Sequence, residues 1–169
     1  KRSWRYLRGL GMSVPRLYAM LAAQVLARVP ADAPFEALHI VQNVIGKTAP
    51  VRRKKRGRAA KPAKGAAVDA LAKRAFADAW KVSPEPLFYL IEACSHEGAA
   101  AFAIACLRKD FPDALRAPSV AWLNRLAYRR VEPVHELLVA LLSGTPELHQ
   151  AKLREKGLHD AVMELLVSP

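Results

Sequence analysis

Glu132 and His135 stand three apart in the stretch EPVHE, a spacing that puts both side chains on one face of a helix. A carboxylate and an imidazole so placed make one half of a bundle metal site. The whole site needs a second such half and two further carboxylates. Glu92 and His96 are four apart and fall at a predicted inter-helix turn, while His39, His149 and His159 sit at no metal-ligand spacing. No metal or cofactor is therefore expected, and the histidines read as exposed or capping. Gly46-Lys47-Thr48 invites a phosphate-loop reading. That loop needs a glycine five residues before its Gly-Lys, so that backbone N–H groups can cradle phosphate. Position 41 is Val, and the residues before it read as helix instead of strand. No Ser or Cys sits in a nucleophile elbow, and no His/Asp arrangement is legible. The chain reads as non-enzymatic.

Cys94 and Cys106 lie inside apolar helical pattern. If their helices run antiparallel, the two thiols fall near opposite ends of the pair, too far apart to bridge. They read as small buried hydrophobes, and this usage fits a reducing cytoplasm. No run of about 18 apolar residues predicts a membrane span. The opening KRSWRYLRGLG carries too much charge for a signal peptide and lacks a starting Met, so the chain is expected to be a piece of something longer.

The strongest chemical signal is a polyanion signal. The stretch PVRRKKRGRAAKPAKG at 50–65 has eight Lys and Arg and no acid. Counted from Lys47 there are nine cations: Lys47, Arg52, Arg53, Lys54, Lys55, Arg56, Arg58, Lys61 and Lys64. Residues 1–67 hold 15 Lys and Arg against 2 acids, whereas residues 68–169 hold 12 against 13. All the excess charge thus lies in the first part of the chain. A basic arm can track phosphates and release counterions. Arg2, Arg5 and Arg8 on the N-terminal helix extend the basic surface, with Trp4 and Leu7 read as core. Aromatics are absent from residues 36–75, which argues against stacking on unpaired bases.

Within this stretch KKRGRAAKP resembles the Arg-Gly-Arg core of an AT-hook. That resemblance would send Arg56 and Arg58 into a narrow A·T minor groove, where the potential is most negative. Ala59 stands where the motif has proline, and Pro62 comes late. Phosphate contact is expected without base preference.

The elements around this arm are helical. SVPRLYAMLAAQVLARV offers Ser13 as N-cap and Pro15 in the first turn. DAPFEALHIVQNVIG repeats the device with Asp32 and Pro34, places Phe35, Leu38, Val41 and Ile45 on one stripe, and stops at Gly46. SPEPLFYLIEAC opens with Ser83 and Pro84, and TPELHQAKLREKG with Thr145 and Pro146. About ten helices are expected, with no strand signal. Residues 47–66 have a linker composition. The segment at 90–107 can be laid on that at 123–142, matching Leu90 to Leu123, Phe102 to Leu137 and Leu107 to Leu142. A helix pair repeating at 33 to 35 residues is the mark of an α-solenoid.

WRYLRGLGMSVPRLYAMLAAQVL and FADAWKVSPEPLFYLIEACSHEGAAAFAIACLRKDFP resemble the helical-repeat region of large bacterial proteins that carry a WGR domain. The resemblance covers most of the chain except the basic linker and implies a HEAT-like array. WGR domains elsewhere engage DNA ends, but this chain has no Trp-Gly-Arg triplet, so that activity is not carried over.

The expected fold is all-α: a HEAT-like solenoid of antiparallel helix pairs. Residues 1–46 form an N-terminal helical subdomain, 47–66 a basic linker, and 67–169 a repeat subdomain. The expected function is a scaffold that contacts DNA or RNA without sequence preference, alongside a protein partner or other domains of a parent chain. No membrane partner is expected. One alternative is a pure protein–protein module with a solubilising linker. Another is an enzyme like the HEAT-like DNA glycosylases, which would need an acid, Asp110 or Asp113, and aromatics from Trp80, Trp122 and Tyr128 facing a basic groove.

Overall fold

Proline placement explains where several helices start. The computed structural model describes residues 2–46, 74–116 and 118–144, all helix, turn or irregular chain with no strand among them. Helix α1 (Arg2–Ser13) runs almost directly into α2 (Pro15–Ala27), with Pro15 in its first turn. A 3₁₀ turn at Phe35–Ala37 leads to the short α3 (His39–Val44), and another lies at Ala79–Lys81. Then come α4 (Glu85–Ala93), α5 (Glu97–Asp110), a 3₁₀ turn at Pro112–Leu115, α6 (Val120–Ala127) and α7 (Glu132–Gly144).

Seven α-helices thus lie among the described residues, fewer than the ten or so expected. The stretch after Asp32 shows one reason. Leu38 is extended, with ψ 123°, and breaks the expected helix into a 3₁₀ turn and a short helix. Asp32 caps neither piece. Ser13 is also not the N-cap of α2. It is the last residue of α1, and its Oγ donates to the Gly9 carbonyl at 2.9 Å. Ser83 does help to start α4, its Oγ accepting from the Glu85 N–H at 3.2 Å. The region opened by Thr145 and Pro146 lies outside the described residues.

Packing joins the helices in a chain of neighbours. α1 lies on α2, α2 on α4, and α4 on α5; α6 lies on α7. The pairs also touch helix by like helix, α4 with α6 and α5 with α7. Glu85 and Glu97 open the first pair, Val120 and Glu132 the second, a shift of 35 residues each time. Leu90, Leu123, Phe102, Leu137 and Leu107 are all buried, and Leu142 packs half-buried against the same core. Matched positions therefore face inward in both pairs. Two polar ties cross between them. Arg125 donates to both Glu92 carboxylate oxygens, at 2.9 and 3.0 Å, and Arg129 Nη2 donates to the Cys94 carbonyl.

One core runs from Leu7 in α1 to Leu141 in α7. Trp80 sits fully buried at its middle, edge-on to Tyr18 and Phe102 with ring centroids 6.2 and 5.4 Å away. Cys94 and Cys106 are both buried and free, and burial pushes each thiol up to about 11. No helix among the described residues is long and apolar enough to cross a membrane.

Candidate nucleic-acid interface

Lys47, Arg52, Arg53, Lys54, Lys55, Arg56, Arg58, Lys61 and Lys64 lie outside the described residues. The described residues on either side of that stretch, up to Gly46 and from Arg74 onward, meet. Helix α3 ends at Val44, and Gly46 follows with φ 102°, a left-handed conformation that favours glycine. On the far side, the Ala75 N–H donates to the Val44 carbonyl at 2.9 Å. Val44, three residues before Lys47, and Ala75, eleven after Lys64, are thus in direct backbone contact.

Three consecutive residues fix this junction. Arg74 is only 5% exposed. Its Nη2 donates to Asp110 Oδ2 at 2.5 Å and its Nη1 to Cys106 Sγ at 2.9 Å, both on the last turns of α5. A guanidinium removed from water needs such a carboxylate, because an unpaired buried charge is strongly destabilising. Ala75 supplies the backbone closure. Phe76 then turns with φ 51°, the one positive φ outside glycine among the described residues. Its ring packs edge-on to Tyr18, centroids 4.8 Å apart, and lies over Gly11 of α1. The junction therefore touches α1, α2, α3 and α5 at once. Tyr18, sealed beneath it, has its hydroxyl pushed up by burial.

Sequence reasoning missed this junction. Arg74 stands in ALAKRAFADAW, where a cation between alanines reads as a solvated helix face. Nothing in its neighbours marks it as buried, because its partner is Asp110, 36 residues on.

The cations of α1 lie where expected. Arg2, Arg5 and Arg8 are exposed, Leu7 is buried, and Trp4 packs partly buried against the core. A further cationic feature is the end of α5. Arg108 and Lys109 are exposed there and have no carboxylate partner among the described residues. They line a groove of about 550 Å³ between α5 and α7, with Ala101, Ile104, Ala105, Pro133 and Glu136.

The residues considered for other chemistry are placed elsewhere. Trp80 and Trp122 are in the core, and only Tyr128 is exposed, at 67%. Asp110 is occupied by Arg74, and Asp113 pairs with Arg116 at 3.0 Å. These groups do not converge on a groove. Glu132 is exposed, and no group of three or more His, Cys, Asp or Glu among the described residues is placed to hold a metal. His96 is a cap: its Nδ1 accepts from the Gly98 N–H at 2.9 Å at the start of α5, which leaves Nε2–H to donate to the Ala33 carbonyl at 3.1 Å. Phe35 stacks on its ring, centroids 4.5 Å apart. A smaller groove between α4 and α6 contains Phe88 and Trp122, but its charged pair, Glu92 and Arg125, is mutually satisfied.

Compared with family models, curated proteins and solved structures, the chain matches none.

Proposed function

We propose that this chain is a non-enzymatic, HEAT-like helical-repeat scaffold that contacts nucleic acid through phosphates. The contact is made by the basic segment at 47–64. The observation that carries this reading is charge placement. Nine cations without an acid stand on one stretch, and the described residues on either side of it, Val44 and Ala75, are hydrogen-bonded to each other on a packed body. A tether between two separate bodies would part its ends. An arm returns to its root, and Val44 and Ala75 form such a root. The solenoid reading is supported by the 35-residue shift between helix pairs and by the contact of like helices. The resemblance to WGR-associated repeats makes the parent a larger bacterial protein. Free, buried cysteines suit a reducing cytoplasm.

The test is fluorescence anisotropy with labelled duplex and single-stranded DNA and RNA across a salt series. The whole chain is compared with one lacking residues 51–65. If about six phosphates are neutralised, log affinity should fall with log salt at a slope of roughly −5. Deletion should abolish binding. Absence of binding at low salt would sink the proposal.

A second reading is a protein–protein module. The small apolar floor of the α5–α7 groove, Ala101, Ile104 and Ala105, favours it. It predicts partner binding that survives the same deletion.

A further inference from the structure

We infer that the last turn of α5 is a second, rigid phosphate contact for duplex nucleic acid, made by Arg108 and Lys109. This rests on the reading of the basic segment as a nucleic-acid arm.

Four observations lead there. The first is electrostatic freedom. Arg16, Lys81, Arg116 and Arg125 each have a carboxylate within 4 Å, but Arg108 and Lys109 have none among the described residues. The second is the fate of the neighbouring acid. Asp110 follows directly in sequence and would neutralise this turn if it faced out. It is turned inward instead, its side chain 7% exposed, and is spent on Arg74. The outer surface of the turn is therefore cationic.

The third is position. Arg74 binds Cys106 and Asp110, which flank Arg108 and Lys109 on the same turns of helix. One helical turn rises about 5.4 Å, so the pair lies within a turn of the Arg74 contacts along the axis of α5, on the side of the helix that faces the α5–α7 groove. A polyanion held by the arm meets these two side chains at high effective concentration. The fourth is the lining of the groove. It contains no aromatic on which an unpaired base could stack, so the fit is to a duplex backbone. Glu136 on the α7 wall repels phosphate and ends the footprint there.

Cations at a helix C-terminus also favour the helix itself by complementing its dipole. The experiment must separate that role from binding. Arg108→Gln with Lys109→Gln is compared with Arg130→Glu in the full chain. Both change the net charge equally. Arg130 is exposed at the turn between α6 and α7, next to Arg129, which bonds the Cys94 carbonyl just ahead of the start of α5. Each protein is titrated against labelled duplex DNA over a salt series, with a thermal melt alongside.

The double neutralisation should make the salt slope shallower by about 2 and weaken binding by about tenfold or more at 0.1 M salt. Arg130→Glu should stay within about twofold of wild type, since a general charge effect is screened beyond roughly 10 Å at that salt. Exchanging the two residues, Arg108→Lys with Lys109→Arg, should restore binding, because backbone phosphate needs charge more than fork geometry. That exchange also answers for a variant that folds poorly. If the double neutralisation binds like Arg130→Glu while deletion of 51–65 still abolishes binding, the α5 contact is overturned and the arm stands. If the whole chain binds no duplex, both fall.

Discussion

Gly11 and Phe76 show how one missing methyl fixes a junction. A Cβ at Gly11 would lie 2.5 Å from the Phe76 ring, well inside contact distance. Alanine normally stabilises a helix interior by up to about 1 kcal/mol relative to glycine. Here the ring is wedged against Tyr18, so overpacking should win. Gly11→Ala is expected to lower stability by about 1–3 kcal/mol, read from the midpoint of urea unfolding. The Arg74–Asp110 pair gives a second expectation. Asp110→Ala strands a buried guanidinium and should be destabilising by about 3–5 kcal/mol. Adding Arg74→Met to it should recover much of that loss. An unchanged deficit in the double variant would show that the pair's geometry, and not charge burial, holds the junction. The buried thiols set the alkaline limit. Cys94 and Cys106 are raised from 9 to about 11, so well below pH 9 both are protonated whether folded or not. Between about 9 and 11 the unfolded chain releases protons that the folded chain keeps, and stability falls as pH rises. Urea midpoints at pH 8 and 10.5 check the sign. Little of this was legible in advance. Cysteine burial followed from apolar surroundings, but the burial of Arg74 and the vacancy at Gly11 depend on partners distant in sequence.

At the scale of elements, periodicity identified helices well and their ends poorly. The stripe Leu87, Leu90 and Ile91 of α4 and the small-residue face of α5 are buried as the pattern implies. Ser13 misled because α1 extends right up to it, and its hydroxyl found a carbonyl within its own helix. Phe35 misled because its ring stacks on His96, a contact across 61 residues that a single helical stripe cannot foresee. The repeat was legible as matched leucines, whereas the ties that bind its two units were not. Arg129 reaches the C-terminal end of α4 at the Cys94 carbonyl, and a charged hydrogen bond of this kind contributes about 1.5–3 kcal/mol. Arg129→Ala should lower the melting temperature accordingly. Arg125→Ala should lower it less, because its pair with Glu92 is open to water. Thermal melts of the two variants side by side give the order.

Across the whole molecule, charge and packing are segregated. The excess cations precede residue 68, and the core spans both sides of them without a break. Charge asymmetry was plain from the sequence. That Val44 and Ala75 meet was not, because loop closure leaves no mark in composition. Closure has an energetic corollary. Removing residues 51–65 halves the loop of thirty residues between the bonded ends, and each halving reduces the closure entropy by about 0.6 kcal/mol. The shortened chain should be as stable as the whole, or slightly more so, in urea. A marked loss would mean that the segment packs on the body.

Covalent continuity between Val44 and Ala75 does little that the fold does not already do. The α1–α3 side is fastened to the α4–α5 side by the α2–α4 contact, by Phe76 on Gly11, and by the Val44–Ala75 hydrogen bond. A protease nick between Lys47 and Lys64 would therefore leave two fragments that travel as one particle and separate only in denaturant. Expressed apart, the same two fragments would find each other and rebuild the fold by complementation.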